Sequence, residues 1–256
     1  MSLNFYLICF IIAASGIARL HGSRIPRLSN HKVVGGHDAN PGEAPFQISL
    51  FLGDRFQCGG SIINKHWILT AAHCIEYEDE SRMSILAGTN SLSNGDGRRY
   101  QVDRHVAHPK YDSPWKHNDI GLIRLKEALE FGELVEPIEI NREAIPEGSP
   151  VKLSGWGLTD SQAADVPDAL QILDLLVSSE GECTVAHEVI FEGHICTFTK
   201  FGEGACFGDS GGPLTFEGKL AGIVSFGAPC AIGYPDVFTR VSFYQDWIEE
   251  TIANDL

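Results

Sequence analysis

Short apolar segments separated by turn residues fill most of this chain, and helical periodicity is rare in it. Each segment is four to eight residues long, which is the length of a strand and short for a helix. The segments are Phe46–Leu52, Gly60–Asn64, Trp67–Thr70, Met83–Ala87, Asp119–Leu125, Pro150–Trp156, Leu170–Val177, Pro213–Phe216, Lys219–Phe226 and Val237–Val241. In a chain of 256 residues this pattern predicts an all-β fold with a sizeable core.

Both ends of the chain depart from the strand pattern. Leu3–Ala14 is an apolar run too short to span a bilayer with ease, and small residues follow it, so residues 1–18 are predicted to be a secretory signal peptide. Residues 19–32 form a short basic and polar segment. Near the other end, Ser242–Gln245 fits a capping box and apolar residues recur at helical spacing, which predicts a terminal helix packed on the nearby strands.

Charge and cysteine content restrict the partners. Four of the 19 Lys and Arg residues and none of the 34 acids precede Val33, so residues 33–256 carry a formal net charge of −19. That charge disfavours nucleic acid and anionic membranes as partners. Cys9 leaves with the signal peptide, and the six remaining cysteines allow several disulfide pairings, among which the sequence does not choose. They lack the close spacing of zinc ligands, so no metal is expected.

The run Gly204–Pro213 sets Ser210 between Asp209 and two glycines. It favours neither helix nor strand, which indicates a special backbone geometry. A serine hydroxyl becomes a nucleophile only when a base takes its proton and donors hold the oxyanion. His73 follows one apolar run and Asp119 opens another. Each residue alone is more typical of a turn or a packed core, but together they predict a Ser-His-Asp triad.

The chain order His73, Asp119, Ser210, with the motifs around each residue, resembles the chymotrypsin/trypsin family of serine endopeptidases, in particular its secreted insect and brachyurin-related members. The likeness runs from Val33 to about Asn254. It implies one peptidase domain over residues 33–256, built as two six-stranded antiparallel β-barrels whose boundary lies near residues 137–150. The active site would lie between the barrels, and the C-terminal helix would pack on the second.

The resemblance also implies roles for residues around the triad. The N–H groups of Gly208 and Ser210 would form the oxyanion hole. A trypsin-like protease would cut the propeptide, residues 19–32, after Lys32, and the new amine of Val33 would pair with Asp209. The disulfides implied are Cys58–Cys74, Cys183–Cys196 and Cys206–Cys230.

Residues of the substrate pocket follow from the same resemblance. Ser225, Phe226 and Gly227 match the strand that pairs with the substrate backbone, although the family usually has tryptophan where Phe226 stands. Gly204 replaces the aspartate that trypsins use to bind Lys or Arg, and Ala205 beside it is small, which favours a large apolar or aromatic side chain. Asp236 matches a position on the pocket wall where many relatives have glycine. It would either admit a basic side chain or turn away from the pocket.

The sequence therefore predicts a secreted, monomeric serine endopeptidase made as a zymogen, which digests dietary protein in the gut lumen and needs no cofactor. Its partners would be protein substrates, its activating protease and protein inhibitors. One alternative is a collagenase-like protease of broad specificity that also accepts Arg or Lys through Asp236. Another is a catalytically inactive homologue that only binds.

Overall fold

The computed structural model describes residues 34–254, except 94, 161 and 229. The predicted signal peptide, the propeptide, Lys32 and Val33 lie outside the described residues. No helix within the described part of the chain is long and apolar enough to cross a membrane.

A closed antiparallel barrel forms the first half of the fold. Its strands are β2 (Gln47–Leu52), β3 (Arg55–Ile62), β4 (Trp67–Thr70), β5 (Met83–Ala87), β6 (Arg98–Ala107) and β7 (Gly121–Leu125). They are hydrogen-bonded in the order β2-β3-β4-β7-β6-β5. Closure leaves no strand edge unpaired, and the side chains that point inward form a buried cluster that includes Ile48, Ile68 and Ile123.

The second half is a curled antiparallel sheet of seven strands. They are β1 (His37–Asp38), β8 (Pro150–Gly155), β9 (Gln171–Leu176), β10 (His194–Thr197), β11 (Pro213–Phe216), β12 (Lys219–Gly227) and β13 (Asp236–Arg240). The order is β1-β9-β8-β11-β12-β13-β10. A bridge between Val177 and Thr197 joins the end of β9 to β10, so the sheet resembles a barrel. The predicted two-barrel fold is confirmed, with β1 as an additional strand.

Two short α-helices accompany the sheets. Helix α1 (Glu180–Ala186) begins with a capping box between Ser179 and Glu182, which the sequence analysis missed. Helix α2 (Gln245–Ala253) follows a 3-10 turn, Val241–Tyr244, and has no side-chain cap, so the capping box predicted at Ser242 is wrong.

The position of α2 also corrects a prediction. Val241, Tyr244 and Ile248 belong to the buried cluster of the first barrel, and the Tyr244 ring contacts His108 at 5.4 Å between centroids. The helix therefore packs towards the first barrel and not only on the second, because the chain crosses back over the interface after β13.

The pattern of short apolar segments found most strands but missed β1, β6 and β10. In β6 only Tyr100 and Val102 are buried, and the charged residues on the outward face conceal the strand. Strand β10 has four residues, of which the first, His194, and the last, Thr197, are polar, so it contains no apolar run long enough to be recognised.

Three disulfides join Cys58 to Cys74, Cys183 to Cys196 and Cys206 to Cys230. These are the pairs that the family resemblance implies. Each closes a loop of 13 to 24 residues, which restricts the unfolded chain and fixes segments around the site.

Candidate active site

Neighbouring strands of the first barrel carry His73 and Asp119. His73 lies in a 3-10 turn, Ala72–Cys74, just after β4, and Asp119 comes two residues before β7. In the pairing of β4 with β7, Thr70 is opposite Gly121. The end of one strand and the start of the other are therefore adjacent, which brings the imidazole to the carboxylate.

Asp119 is fully buried and accepts three hydrogen bonds at its carboxylate. Oδ2 lies 2.7 Å from His73 Nδ1 and accepts from the Ser225 hydroxyl at 2.6 Å, while Oδ1 accepts from the His73 backbone N–H at 2.9 Å. Burial by itself raises the pKa of a carboxyl group, but these bonds and the charge of His73 outweigh it and hold the pKa of Asp119 below its usual range. Asp119 is therefore a carboxylate that fixes the imidazole through Nδ1.

Ser210 lies in the loop between β10 and β11, on the second barrel. Its carbonyl oxygen accepts from Gly59 N–H at 2.8 Å, which ties it to the first barrel near the Cys58–Cys74 disulfide beside His73. Ser210 and Ser225 line the same cavity, and Ser225 donates to Asp119. The three predicted triad residues therefore belong to one connected site between the two sheets. Gly208 has φ +103°, a conformation that suits glycine and few other residues.

Asp209, which precedes Ser210 in this loop, is fully buried. Its carboxylate accepts from Gly157 N–H at 2.8 Å and from Cys206 N–H at 3.0 Å. Burial raises the pKa of Asp209 to about 6, and the two hydrogen bonds oppose that rise. A Cβ at Gly155 or Gly157 would come within 2.2 Å of a carboxylate oxygen, so both positions require glycine. This contact was not predicted, although the Gly155-Trp156-Gly157 run is the sequence signal that could have suggested it.

A cavity of about 230 Å³ opens beside Ser210. Its walls include five of the predicted pocket residues, namely Ala205, Ser225, Phe226, Gly227 and Asp236. Gly204 lies directly behind Asp236, since a Cβ at Gly204 would come within 2.4 Å of Asp236 Oδ2. The carboxylate of Asp236 therefore occupies the space into which a side chain at position 204 would extend.

Asp236 opens β13 between Gly227 of β12 and Thr197 of β10. Its side chain lines the cavity and does not turn away, and the residue is only 5% exposed. Oδ2 accepts one hydrogen bond, from Ala205 N–H at 2.6 Å. Burial raises the pKa of Asp236 to about 7, the hydrogen bond from Ala205 lowers it, and the negative charge of Asp209 raises it further.

Two further residues of the site were missed from the sequence. Thr239 in β13 donates its hydroxyl to the Asp119 carbonyl at 2.7 Å and so fixes the backbone of the triad carboxylate. Phe207 lines the mouth of the cavity and is 62% exposed. Phe207 could have been predicted from its position beside Gly208. Nothing near Thr239 in the sequence indicates its contact with Asp119.

Among the described residues, one group has the donor spacing of a metal site, formed by Cys58, His73 and Cys74. Both sulfurs belong to a disulfide, so neither is a thiolate that could bind a metal ion. This group therefore does not form a metal centre.

The family model named Trypsin matches residues 33–248. The chain belongs to the trypsin family of serine proteases. Chymotrypsin-2 of Vespa crabro is 42% identical over 219 residues, which cover 85% of this chain and 99% of that protein. Brachyurin of Leptuca pugilator is 35% identical over 221 residues, covering 85% of this chain and 97% of that protein. Trypsin II-P29 of Gallus gallus is 40% identical over 227 residues, which cover 87% of this chain and 90% of that protein.

A solved structure gives the same family. Neuropsin, described as a serine protease expressed in the limbic system of mouse brain, aligns with a TM-score of 0.80 and 33% identity. The alignment covers 85% of this chain and 98% of that structure. This trypsin-family chain is thus a serine endopeptidase that acts on peptide substrates.

Proposed function

We propose that this serine protease is a secreted zymogen that hydrolyses peptide bonds after large apolar or aromatic residues through an acyl-enzyme. The observation that carries the proposal is that Ser210 and Ser225 line one cavity and that Ser225 donates to Asp119, which in turn bonds His73. The small residues Ala205 and Gly227 in the walls of that cavity leave room for a large side chain and contribute no charge.

In the proposed reaction Ser210 Oγ attacks the scissile carbonyl carbon and His73 takes its proton. His73 then gives the proton to the leaving amine, and water cleaves the acyl-enzyme by the reverse steps. Asp119 bonds His73 Nδ1, which leaves Nε2 for the serine and stabilises the imidazolium. The N–H groups of Gly208 and Ser210 receive the oxyanion, while Ser225–Gly227 in β12 pairs with the substrate backbone.

Activation would work through Asp209. Cleavage after Lys32 creates an amine at Val33, and the buried carboxylate of Asp209 has no cationic side chain within 4 Å among the described residues. Val34, the next residue, already accepts a hydrogen bond from Gly204 N–H at 3.2 Å. An amine entering beside it would supply the missing positive charge and fix the oxyanion loop. A buried ion pair of this kind suits a switch better than it suits stabilisation.

Asp236 supports the second candidate function, a protease of broad specificity. Its carboxyl group lines the cavity and reaches the space in front of Gly204, from where it could bind the cation of an Arg or Lys side chain. Brachyurin is among the relatives, at 35% identity. The small and apolar walls favour the first candidate, and Asp236 favours the second.

The proposed setting follows from the N-terminal segment and the relatives. The predicted signal peptide and the acidic chain fit a monomer secreted into the gut lumen for digestion of dietary protein. A trypsin-like protease would activate it, and protein inhibitors of serine proteases would bind its cleft.

The test is to express the precursor, activate it with trypsin, remove the trypsin and treat the product with an aryl phosphonate. Labelling of Ser210, found by peptide mass spectrometry, and a higher kcat/KM on Phe than on Arg anilides are expected. Ser210→Ala should be unlabelled and at least about 10³-fold less active.

Two results would contradict the proposal. An activated, folded protein that neither reacts with the phosphonate nor cleaves peptides would be an inactive binding homologue. A higher kcat/KM on Arg than on Phe would favour the broad-specificity candidate. Lys32→Gln is the matched control for activation, because it should remain a precursor in the presence of trypsin.

A further inference from the structure

Two buried carboxylates accept hydrogen bonds from adjacent amides of the loop Gly204–Ser210. Ala205 N–H donates to Asp236 Oδ2 at 2.6 Å, and the next amide along the chain, Cys206 N–H, donates to Asp209 Oδ2 at 3.0 Å. Asp209 is fully buried and Asp236 is 5% exposed. Two like charges placed this close in a desolvated region oppose each other, so full ionisation of both is unfavourable.

No cation among the described residues pairs with Asp236. In the loop that follows β10, Lys200 is paired with Glu203 at 2.9 Å. On the other elements around Asp236, His187 Nε2 contacts the Pro235 carbonyl at 2.7 Å, and the ring of His194 in β10 contacts Phe226. The exposed phenol of Tyr234 lies two residues before Asp236.

Of these titratable groups, Asp209 is the one whose charge acts on Asp236. The carboxyl group therefore has one amide donor and one opposing charge. This is too little to keep a buried carboxylate ionised at every physiological pH.

The protonation state decides what the cavity can bind. With Asp236 neutral, the walls carry no charge and suit an aromatic or aliphatic side chain. With Asp236 ionised, the same walls enclose one negative charge and suit a guanidinium or ammonium group. The change requires no movement of the backbone.

We propose that protonation of Asp236 selects the substrate class, and this proposal rests on the serine endopeptidase function proposed above. The neutral acid favours cleavage after aromatic and apolar residues, and the carboxylate admits Arg and Lys. Asp209 acts on this choice as a positioning residue through its charge. When the amine of Val33 neutralises Asp209, the opposing charge is removed, so Asp236 ionises at a lower pH in the activated protein than in the precursor.

The experiment measures kcat/KM of the trypsin-activated protein for two peptide anilides that differ only in Phe or Arg at the cleaved residue. The ratio of the two values cancels any pH dependence that the two substrates share. We expect the Arg/Phe ratio to rise about tenfold or more between about pH 5.5 and pH 8.5. In Asp236→Asn, which keeps the shape and an oxygen for the Ala205 amide, the ratio should be low and flat.

Glu203→Gln is the matched control, since it removes a carboxylate one residue from Gly204 that is paired with Lys200. Its ratio should rise as in the parent protein. A parent ratio that does not change with pH, or an equal rise in Asp236→Asn, would overturn the inference. If the protein cleaved neither substrate and did not react with the phosphonate, the proposed function itself would fail; cleavage with a flat ratio would overturn the inference alone.

A second measurement avoids any effect of the substitution on folding. Benzamidine carries a cation on an aromatic ring, and benzamide is its neutral analogue of the same shape. For the parent protein, the inhibition constant of benzamidine relative to that of benzamide should fall about tenfold over the same pH range. A relative inhibition constant independent of pH would overturn the inference.

Discussion

Asp119 beside His73 and Asp236 in the substrate cavity are both buried aspartates, with 0% and 5% exposure, yet their pKa values are shifted in opposite directions. Asp119 accepts three hydrogen bonds and has a cationic partner in protonated His73, so its pKa is lowered. Asp236 accepts one hydrogen bond. Burial raises its pKa to about 7, and the negative charge of Asp209 also acts to raise it. Burial is nearly the same at both sites, so the donors and charges around each carboxyl group decide whether it is ionised.

This difference fits the role proposed for each residue. A triad carboxylate has to remain ionised while the charge of His73 changes during turnover, which requires many donors. A pocket carboxyl group that accepts few hydrogen bonds can change its charge as the pH changes. The same side chain therefore serves as a permanent charge in one region and as a variable one in the other.

The strongest test of the triad region is Asp119→Asn. Its amide would donate where the carboxylate accepts, so His73 would be held in the wrong tautomer. We expect kcat on a Phe anilide to fall about 10⁴-fold while the protein stays folded. Unchanged benzamide inhibition would be the control for an intact pocket, and a loss below about tenfold would show that Asp119 does not set the tautomer.

In the pocket region, Asp236→Gly removes the carboxyl group and leaves space in front of Gly204. Cleavage after Arg at about pH 8.5 should fall 10- to 100-fold, because a buried cation would lose its counter-charge, whereas cleavage after Phe should stay within about threefold. Steady-state kcat/KM on the paired anilides measures both. Equal losses on the two substrates would indicate damage to the loop and would contradict a role in specificity.

The two aspartates should also differ in how they affect stability with pH. The pKa of Asp236 is raised by folding, so its contribution to stability is present below about pH 3.8 and is lost as pH rises to about 7. Asp236→Asn should therefore raise the free energy of unfolding by about 1–3 kcal/mol at about pH 8.5 and by little at about pH 4.

Urea titrations of the Ser210→Ala protein, which cannot digest itself, measure that effect. A stability difference that does not vary with pH would contradict the raised pKa. The contribution of Asp119 to stability changes with pH in the opposite direction. Because folding lowers its pKa, that contribution is present above about pH 3.8 and is lost as pH falls through its folded pKa.

The smallest expected effect concerns Ser225, which supplies one of the three hydrogen bonds to Asp119. Ser225→Ala should lower kcat/KM on the Phe anilide by about 3- to 10-fold, since His73 still provides two bonds. Thr239→Val, which removes a bond to the Asp119 carbonyl and not to the carboxylate, is the comparison variant and should cost less. A larger loss in Thr239→Val would mean that backbone position matters more than the charge.

The sequence identified the residues that belong to short motifs, and it missed contacts that join distant segments. His73, Asp119 and Ser210 could be predicted because each lies in its own recognisable run. The partnership of Thr239 with Asp119 spans 120 residues, and nothing near either residue indicates it.

The orientation of Asp236 was equally inaccessible from sequence. It depends on the pairing of Gly227 with Asp236 after a register irregularity between Val224 and Phe226. A shift of one residue would turn the side chain to the other face of the sheet. The sequence could therefore place Asp236 near the pocket only through the family resemblance, and two orientations remained open.

The most direct measurement is a carbon-13 NMR titration of aspartate carboxyl groups in the activated Ser210→Ala protein, with Asp236→Asn used to assign the signal of Asp236. From about pH 5 to pH 9 the Asp119 signal should keep its carboxylate position, and the Asp236 signal should titrate with a midpoint at or below about 7. An Asp236 signal that stays at the carboxylate position throughout, or an Asp119 signal that titrates with it, would contradict the assignment of one permanent and one variable charge.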